Sequence, residues 1–205
     1  MSDGTGSEMT SQAKPEAALP DGLKALMSRA GSKDKAPPPV DKWNPPFCGD
    51  LDIRIARDGT WFYLGSPIGR KPLVELFASV LRKDEDGKHY LVTPVEKIGI
   101  TVDDAPLLAV EMVVENEGAD QQLTVRTNLG DLVRIGPDRP LRFEKEPDSG
   151  GIKPYVVVRG RIEALFTRAL MYQLVDHMVE RQGEAGLETG IWSGGQFFAV
   201  DPELL

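Results

Sequence analysis

One cysteine and two histidines in 205 residues leave little material for thiolate or imidazole chemistry. A lone Cys48 closes no disulfide within the chain and builds no all-thiolate metal site. His89 and His177 stand far apart in sequence and form no familiar ligand set with Cys48, so no metal or other cofactor is expected. No apolar run approaches the ~20 residues that span a bilayer. The opening MSDGTGSEMTSQAKPEAA lacks a basic stretch followed by an apolar one. Neither signal peptide nor membrane association is expected, and a cytoplasmic location with reduced Cys48 follows. Positive charge is scarce too: 24 Lys+Arg stand against 32 Asp+Glu, a net charge of −8, which argues against broad binding of nucleic acid.

Catalytic signatures are equally thin. There is no G-x-G-x-x-G after a strand, no G-x-x-x-x-G-K-[ST], no G-x-S-x-G and no H-E-x-x-H. Ser11-Gln12-Ala13-Lys14 matches S-x-x-K only in a tail that offers no pocket, and Asp84-Glu85-Asp86-Gly87 is followed by Tyr90, Leu91 and Val92 rather than by Ca²⁺ ligands. Asp103 and Asp104 could hold Mg²⁺, but adjacent residues on a strand point to opposite faces. No catalytic residue is nominated, and a non-enzymatic role is expected.

All fourteen aromatic residues lie at Trp43 or later, while seven of the sixteen prolines precede Phe47. Residues 1–42 therefore read as a mostly disordered tail that cannot bury enough surface to offset its ordering entropy. Within it, Leu19, Leu23, Leu26 and Met27 share one helical face over residues 19–30, either a docking helix or a transient helix in a linker. Ala36-Pro37-Pro38-Pro39-Val40 is a semi-rigid spacer. Two subdomains are expected after it, 43–115 and 116–205.

In the body, Ile53 and Ile55 alternate towards Trp61 and Tyr63 across Arg57-Asp58-Gly59, which predicts a hairpin. Pro72 opens a helix whose stripe of Leu73, Leu76, Phe77, Val80 and Leu81 ends at Arg82-Lys83. Strands are predicted over 89–92, 98–102, 107–114, 123–127, 132–135, 141–144 and 155–159, then a long helix over 162–181, then a strand over 196–200. Aligning Arg70 with Arg159, Leu73 with Ile162 and Phe77 with Phe166 suggests duplication, although periodic Leu and Phe also match by chance. The fold class is α+β, a repeated unit of antiparallel sheet plus one helix.

Charge is unevenly spread. Residues 84–120 hold ten acids against two bases, while residues 121–168 hold nine bases against six acids. Arg159 and Arg161 would stand at the start of the long helix, where free N–H groups favour an anion, and Arg70 and Lys71 at the matching start in the first copy. Arg126, Thr127 and Asn128 would add polar contacts, and Trp43 or Trp61 would stack on a base. Alternatively the acidic strands simply pair with the basic ones, Thr127-Asn128-Leu129-Gly130 is only a turn, and the Trp43–Gly49 segment is a clamp on a sheet edge. His89, opening a strand after a charged turn, should be exposed.

The stretches WNPPFCGDLDIRIARDGTWFYLGSPIGRKPLVELFASVL, LVTPVEKIGITVDDAPLLAVEM, TNLGD and VVVRGRIEALFTRALMYQLVDH together resemble a bacterial family, domain of unknown function 1285. The resemblance runs from about Leu19 to Val200. It implies a two-part α+β protein with a duplicated core whose second part is superficially like pleckstrin-homology domains. It further implies a nucleotide-like ligand between the halves and a role in signal transduction, with stress response as one setting. The alternative is a protein-interaction module without a small ligand. The sequence does not speak on oligomeric state.

Overall fold

Alternation of buried and exposed residues governs most of the chain, and the outcome is mostly sheet with few helices. The computed structural model describes residues 19–27, 38–147, 150–183 and 186–204. A first six-stranded sheet is built from β1 (Phe47–Ile55), β2 (Trp61–Tyr63), β3 (Ser66–Pro67), β4 (Leu81–Lys83), β5 (His89–Val92) and β6 (Lys97–Val102). A second six-stranded sheet is built from β7 (Leu107–Glu115), β8 (Gln122–Thr127), β9 (Leu132–Arg134), β10 (Leu141–Lys145), β11 (Ile152–Arg159) and β12 (Ile162–Phe166). The strand orders are β3-β2-β1-β6-β5-β4 and β10-β11-β12-β7-β8-β9. Read from the other edge, the second order repeats the first. In each, the unit's first and last strands are central neighbours running parallel, β1 with β6 and β7 with β12, while the other neighbouring strands pair antiparallel.

The duplication is thus a matter of strand topology, and its register differs from the expected one. Leu73 and Phe77 lie on helix α2 (Lys71–Ser79), between β3 and β4, whereas their expected counterparts Ile162 and Phe166 lie on strand β12. Ile162, Ala164 and Phe166 are buried with exposed or half-exposed residues between them, the period of two that a strand requires. Helix spacing fits Ile162, Leu165 and Phe166 as well, which is why periodicity misleads here. Gly160 settles the local choice: at φ +50° it makes the two-residue turn from β11 to β12, with Arg159 paired to Ile162. The helix is shorter than expected, α3 (Arg168–Asp176), with Leu170 and Leu174 buried. Beyond it the chain forms β13 (Val179–Gln182), β14 (Leu187–Ser193) and β15 (Gln196–Ala199), a separate antiparallel three-stranded sheet.

The hairpin at Arg57-Asp58-Gly59 forms as expected, with Ile53 opposite Tyr63 and Ile55 opposite Trp61. The expected boundary at 115/116 does not coincide with the sheets: β7 pairs with β8 and β12, so the chain passes from the first sheet to the second in residues 103–106. That turn is tied to both sides. Asp103 accepts from Arg54 of β1 at 2.6 Å, and Asp104 accepts from Lys153 and from the Tyr155 hydroxyl of β11. The two carboxylates therefore diverge and share no cation.

One apolar cluster runs through both sheets. It includes Trp61, Leu81 and Leu91 of the first sheet with Phe77 of α2, and Leu107, Val125, Val156 and Ile162 of the second with Leu174 of α3. Trp61 and Phe77 face each other with ring centroids 6.3 Å apart. The N-terminal segment joins this core. Helix α1 (Asp21–Met27) buries Leu23, Leu19 just before it is buried as well, and the Leu23 amide donates to Glu96 at 3.0 Å. The docking helix thus docks on its own body. Residues 1–18 and 28–37, which include the end of the expected 19–30 helix and Ala36-Pro37 of the proline spacer, lie outside the described residues.

Candidate functional site

The two sheets meet where β4, the edge strand of the first, comes against β12 of the second. Three cation-bearing contacts stitch this seam. Arg159 donates to the carbonyl of Ala78 at 2.6 Å and lies 3.6 Å from Asp131. A guanidinium there satisfies one of the carbonyls that the end of α2 leaves without a helical partner. Lys83 lies 3.8 Å from Glu163, and Arg161 donates to Glu85 at 2.8 Å.

Between these contacts opens a cleft of ≈ 480 Å³ lined by Asp41, Arg82, Lys83, Asp84, Gly160 and Arg161. Its members have unequal freedom. Arg82 is fully engaged in structure: it donates to Asp84 through Nε at 2.6 Å and Nη2 at 3.2 Å, and through Nη1 to the carbonyls of Val40 and Trp43. It fastens the end of the proline-rich segment to β4. Burial pushes the Asp84 carboxyl up, but hydrogen bonds from Arg82 and Lys97 outweigh burial and hold it below its ordinary range. That group stays a carboxylate with its acceptors occupied.

Lys83 and Arg161 are different. The Arg161–Glu85 pair is 57% and 86% exposed, the kind of ion pair that contributes about 0–1 kcal/mol, and the Lys83–Glu163 pair is long. Either cation can exchange its partner for an incoming anion at small cost. Arg161 owes its place to Gly160, whose turn carries it over the edge of the first sheet rather than to a helix start. Asp41 shares the lining, and the structure shows no hydrogen bond or ion pair for it among the described residues. A Cβ placed on Gly160 would sit 3.6 and 3.8 Å from its two carboxylate oxygens, so the aspartate faces this turn directly.

Of the residues nominated from sequence, the cleft gathers only Arg161. Arg159 is its neighbour but serves as a staple. Arg70 stands exposed just before α2 without a side-chain capping hydrogen bond, and Lys71 lies 3.7 Å from Glu75 on the same helix. Arg126 is clamped by Glu111 on the neighbouring strand. Thr127 is buried and exchanges hydrogen bonds with Asp131. Asn128 brackets Leu108, donating from its amide at 2.8 Å and accepting at its side-chain oxygen at 3.1 Å. Both belong to the tight turn closed by Gly130. Trp43 packs half-buried against the core, and Trp61 is 2% exposed, so Trp61 offers no face to a ligand. Here the acidic and basic strands do pair, as the alternative reading anticipates.

Sequence reasoning missed Asp41, Lys83 and Gly160. Lys83 was expected at a helix end and Asp41 in a tail; the glycine in Arg159-Gly160-Arg161, read as a tight turn rather than a helix entrance, is the signal that could have pointed to the place. His89 also departs from expectation: it is 8% exposed, and its Nε2 has no hydrogen-bond partner. Burial, then the nearby Lys83 charge, push its pKa down to about 4. Its position on β5 opposite Lys83 on edge strand β4, with Glu163 of the second sheet beyond, explains the burial. Among the described residues, no group of three His, Cys, Asp or Glu side chains could hold a metal ion, and no helix is long and apolar enough to cross a membrane.

Comparison with known families finds the "Domain of unknown function (DUF1285), N-terminal domain" over residues 38–105 and the "Protein of unknown function (DUF1285), C-terminal domain" over residues 106–200. The division falls in the same 103–106 turn that separates the sheets. Among solved structures, a DUF1285 family protein from Silicibacter pomeroyi is 48% identical with a TM-score of 0.78, covering 85% of this chain and 93% of its own. Another, from Shewanella baltica, is 28% identical with a TM-score of 0.47, covering 61% of this chain and 91% of its own. No curated protein matches.

Proposed function

The chain belongs to the DUF1285 family, and from its own geometry we propose that it is a non-enzymatic binding protein for a small, nucleotide-derived anion held between its two duplicated halves. One observation carries this reading. The cleft at the seam keeps two cations, Lys83 and Arg161, whose present partners are distant or solvent-exposed, on elements from different halves. An anion that engages both would link β4 to the β11–β12 turn, so occupancy would be felt by both sheets. This is the behaviour of a sensor in signal transduction, and a cytoplasmic, stress-related role is part of the same proposal. The pleckstrin-homology likeness of the second half belongs to it as well, and rests on a largely antiparallel sheet followed by α3. One helix per unit is part of the same reading, with α2 and α3 in different places.

The test is thermal unfolding of the full chain with a panel of nucleotides, sugar phosphates and inorganic phosphate. A ligand that binds only the folded state at a hundred times its Kd adds about 2.7 kcal/mol. A stabilising compound whose effect disappears in Lys83→Glu/Arg161→Glu supports the proposal, and a flat panel overturns it.

A second reading, an interaction module without a small ligand, is favoured by the outer side of α3 and its continuation. Tyr172 and Val175 are exposed there, three residues apart on the side of α3 away from Leu170 and Leu174, and Val179 at the start of β13 is exposed just beyond. Tyr172→Glu/Val175→Glu abolishing a complex that Arg161→Glu leaves intact would select it.

A further inference from the structure

The cleft has polarity as well as charge, and this narrows what it can take. Its two exchangeable cations lie on one side of the account and the unengaged carboxylate of Asp41 on the other, while Arg82 and Asp84 are consumed by each other and by the backbone. A simple anion such as phosphate would satisfy Lys83 and Arg161 but leave the Asp41 carboxylate in the same lining with a like charge nearby and no donor, which costs affinity. An ionised carboxylate accepts hydrogen bonds and donates none. The preferred ligand therefore carries hydrogen-bond donors as well as its negative charge. Nothing aromatic lines the cleft: Trp61 is in the core and Trp43 packs against it, so a nucleobase finds no stacking surface.

Resting on the anion-binding reading above, we infer that the cleft recognises a sugar phosphate, with Lys83 and Arg161 on the phosphate, Asp41 accepting from sugar hydroxyls, and any attached base left outside and unread. A carboxylate is well suited to that task, since it takes paired hydroxyl donors on its two oxygens, as in ribose recognition elsewhere. Gly160 contributes by having no side chain between Asp41 and the turn that carries Arg161.

Isothermal titration calorimetry of the full chain with ribose 5-phosphate, AMP, UMP and inorganic phosphate tests this. The expected result is that ribose 5-phosphate, AMP and UMP bind within about threefold of one another and inorganic phosphate at least tenfold more weakly. Asp41→Asn should weaken ribose 5-phosphate about tenfold while leaving inorganic phosphate unchanged or slightly improved, and Arg161→Ala should weaken all four. Binding of AMP and UMP that differs more than tenfold overturns the inference by revealing a base subsite, yet leaves anion binding standing. So does an Asp41→Asn variant that binds ribose 5-phosphate like the wild type. If no phosphate compound binds, the anion reading itself falls. Far-ultraviolet circular dichroism of each variant shows that it is folded before titration.

Discussion

The two halves of this protein share a strand order and differ in what is inserted into it. In the first, the connection from the third strand to the fourth is helix α2, which lays Phe77 against Trp61 and buries Ala78. In the second, the corresponding connection from β9 to β10 is a short bridged loop in which Gly136 pairs with Arg139, and the helix comes only after the sixth strand. A sheet whose order is fixed by central strands can accept a helix or a loop between peripheral ones, because that connection stays outside the central parallel pair. The asymmetry also supplies the joint. The Ala78 carbonyl near the end of the helix accepts from Arg159 of the loop-bearing half.

The largest effect should come from removing the first half's insert from its core. Phe77→Ala should lower the unfolding free energy by about 3–5 kcal/mol in urea denaturation, and a loss below about 1 kcal/mol would mean that α2 is a surface ornament. Acid should separate the halves next, because the buried histidine is in the first and His177 of the second is exposed. Burial depresses the folded pKa of His89 to about 4, so the unfolded chain takes up the proton first. Its contribution is intact above about pH 6.5 and is lost as pH falls towards 4, by on the order of 3 kcal/mol in total. His89→Phe should flatten that part of the stability curve, and an unchanged curve would assign the acid loss to carboxylates.

The second half should show a smaller, pH-independent weakness at Ser193. This buried hydroxyl accepts from the Leu123 amide at 2.9 Å and donates to the Ile135 carbonyl at 2.8 Å, joining β14 to the second sheet. Ser193→Ala leaves the Leu123 amide without that acceptor, while the Ile135 carbonyl keeps the Gln122 side chain as donor, and should cost about 1–3 kcal/mol in urea denaturation. The smallest effect belongs to the seam. Without ligand, Arg161→Ala should change stability by under about 1 kcal/mol, with the difference shrinking further in high salt.

How much of this was legible depended on whether a local pattern had one solution. The hairpin at Gly59, the strand at His89–Val92 and the start of α2 after Arg70 each combined a turn or proline signal with one periodicity, and the structure agrees. Residues 162–166 satisfied both helix and strand spacing, and the parallel partner that decides for the strand, β7, lies far away in sequence. The site suffered more than the fold. Lys83 and Arg161 become neighbours only through the packing of β4 on β12, and no sequence pattern announces a contact between two sheets. The buried state of His89 has the same cause, since its surroundings include Glu163 of the other half.

The central parallel pairs have a mechanical consequence. Each unit takes in the chain at one end of that pair, at the start of β1 or β7, and releases it at the opposite end, after β6 or β12. A following unit can then begin directly, as β7 does after residues 103–106, with no return strand. Tension applied to the ends of such a unit pulls its first and last strands past each other lengthwise, loading all the hydrogen bonds between them together instead of opening them one at a time.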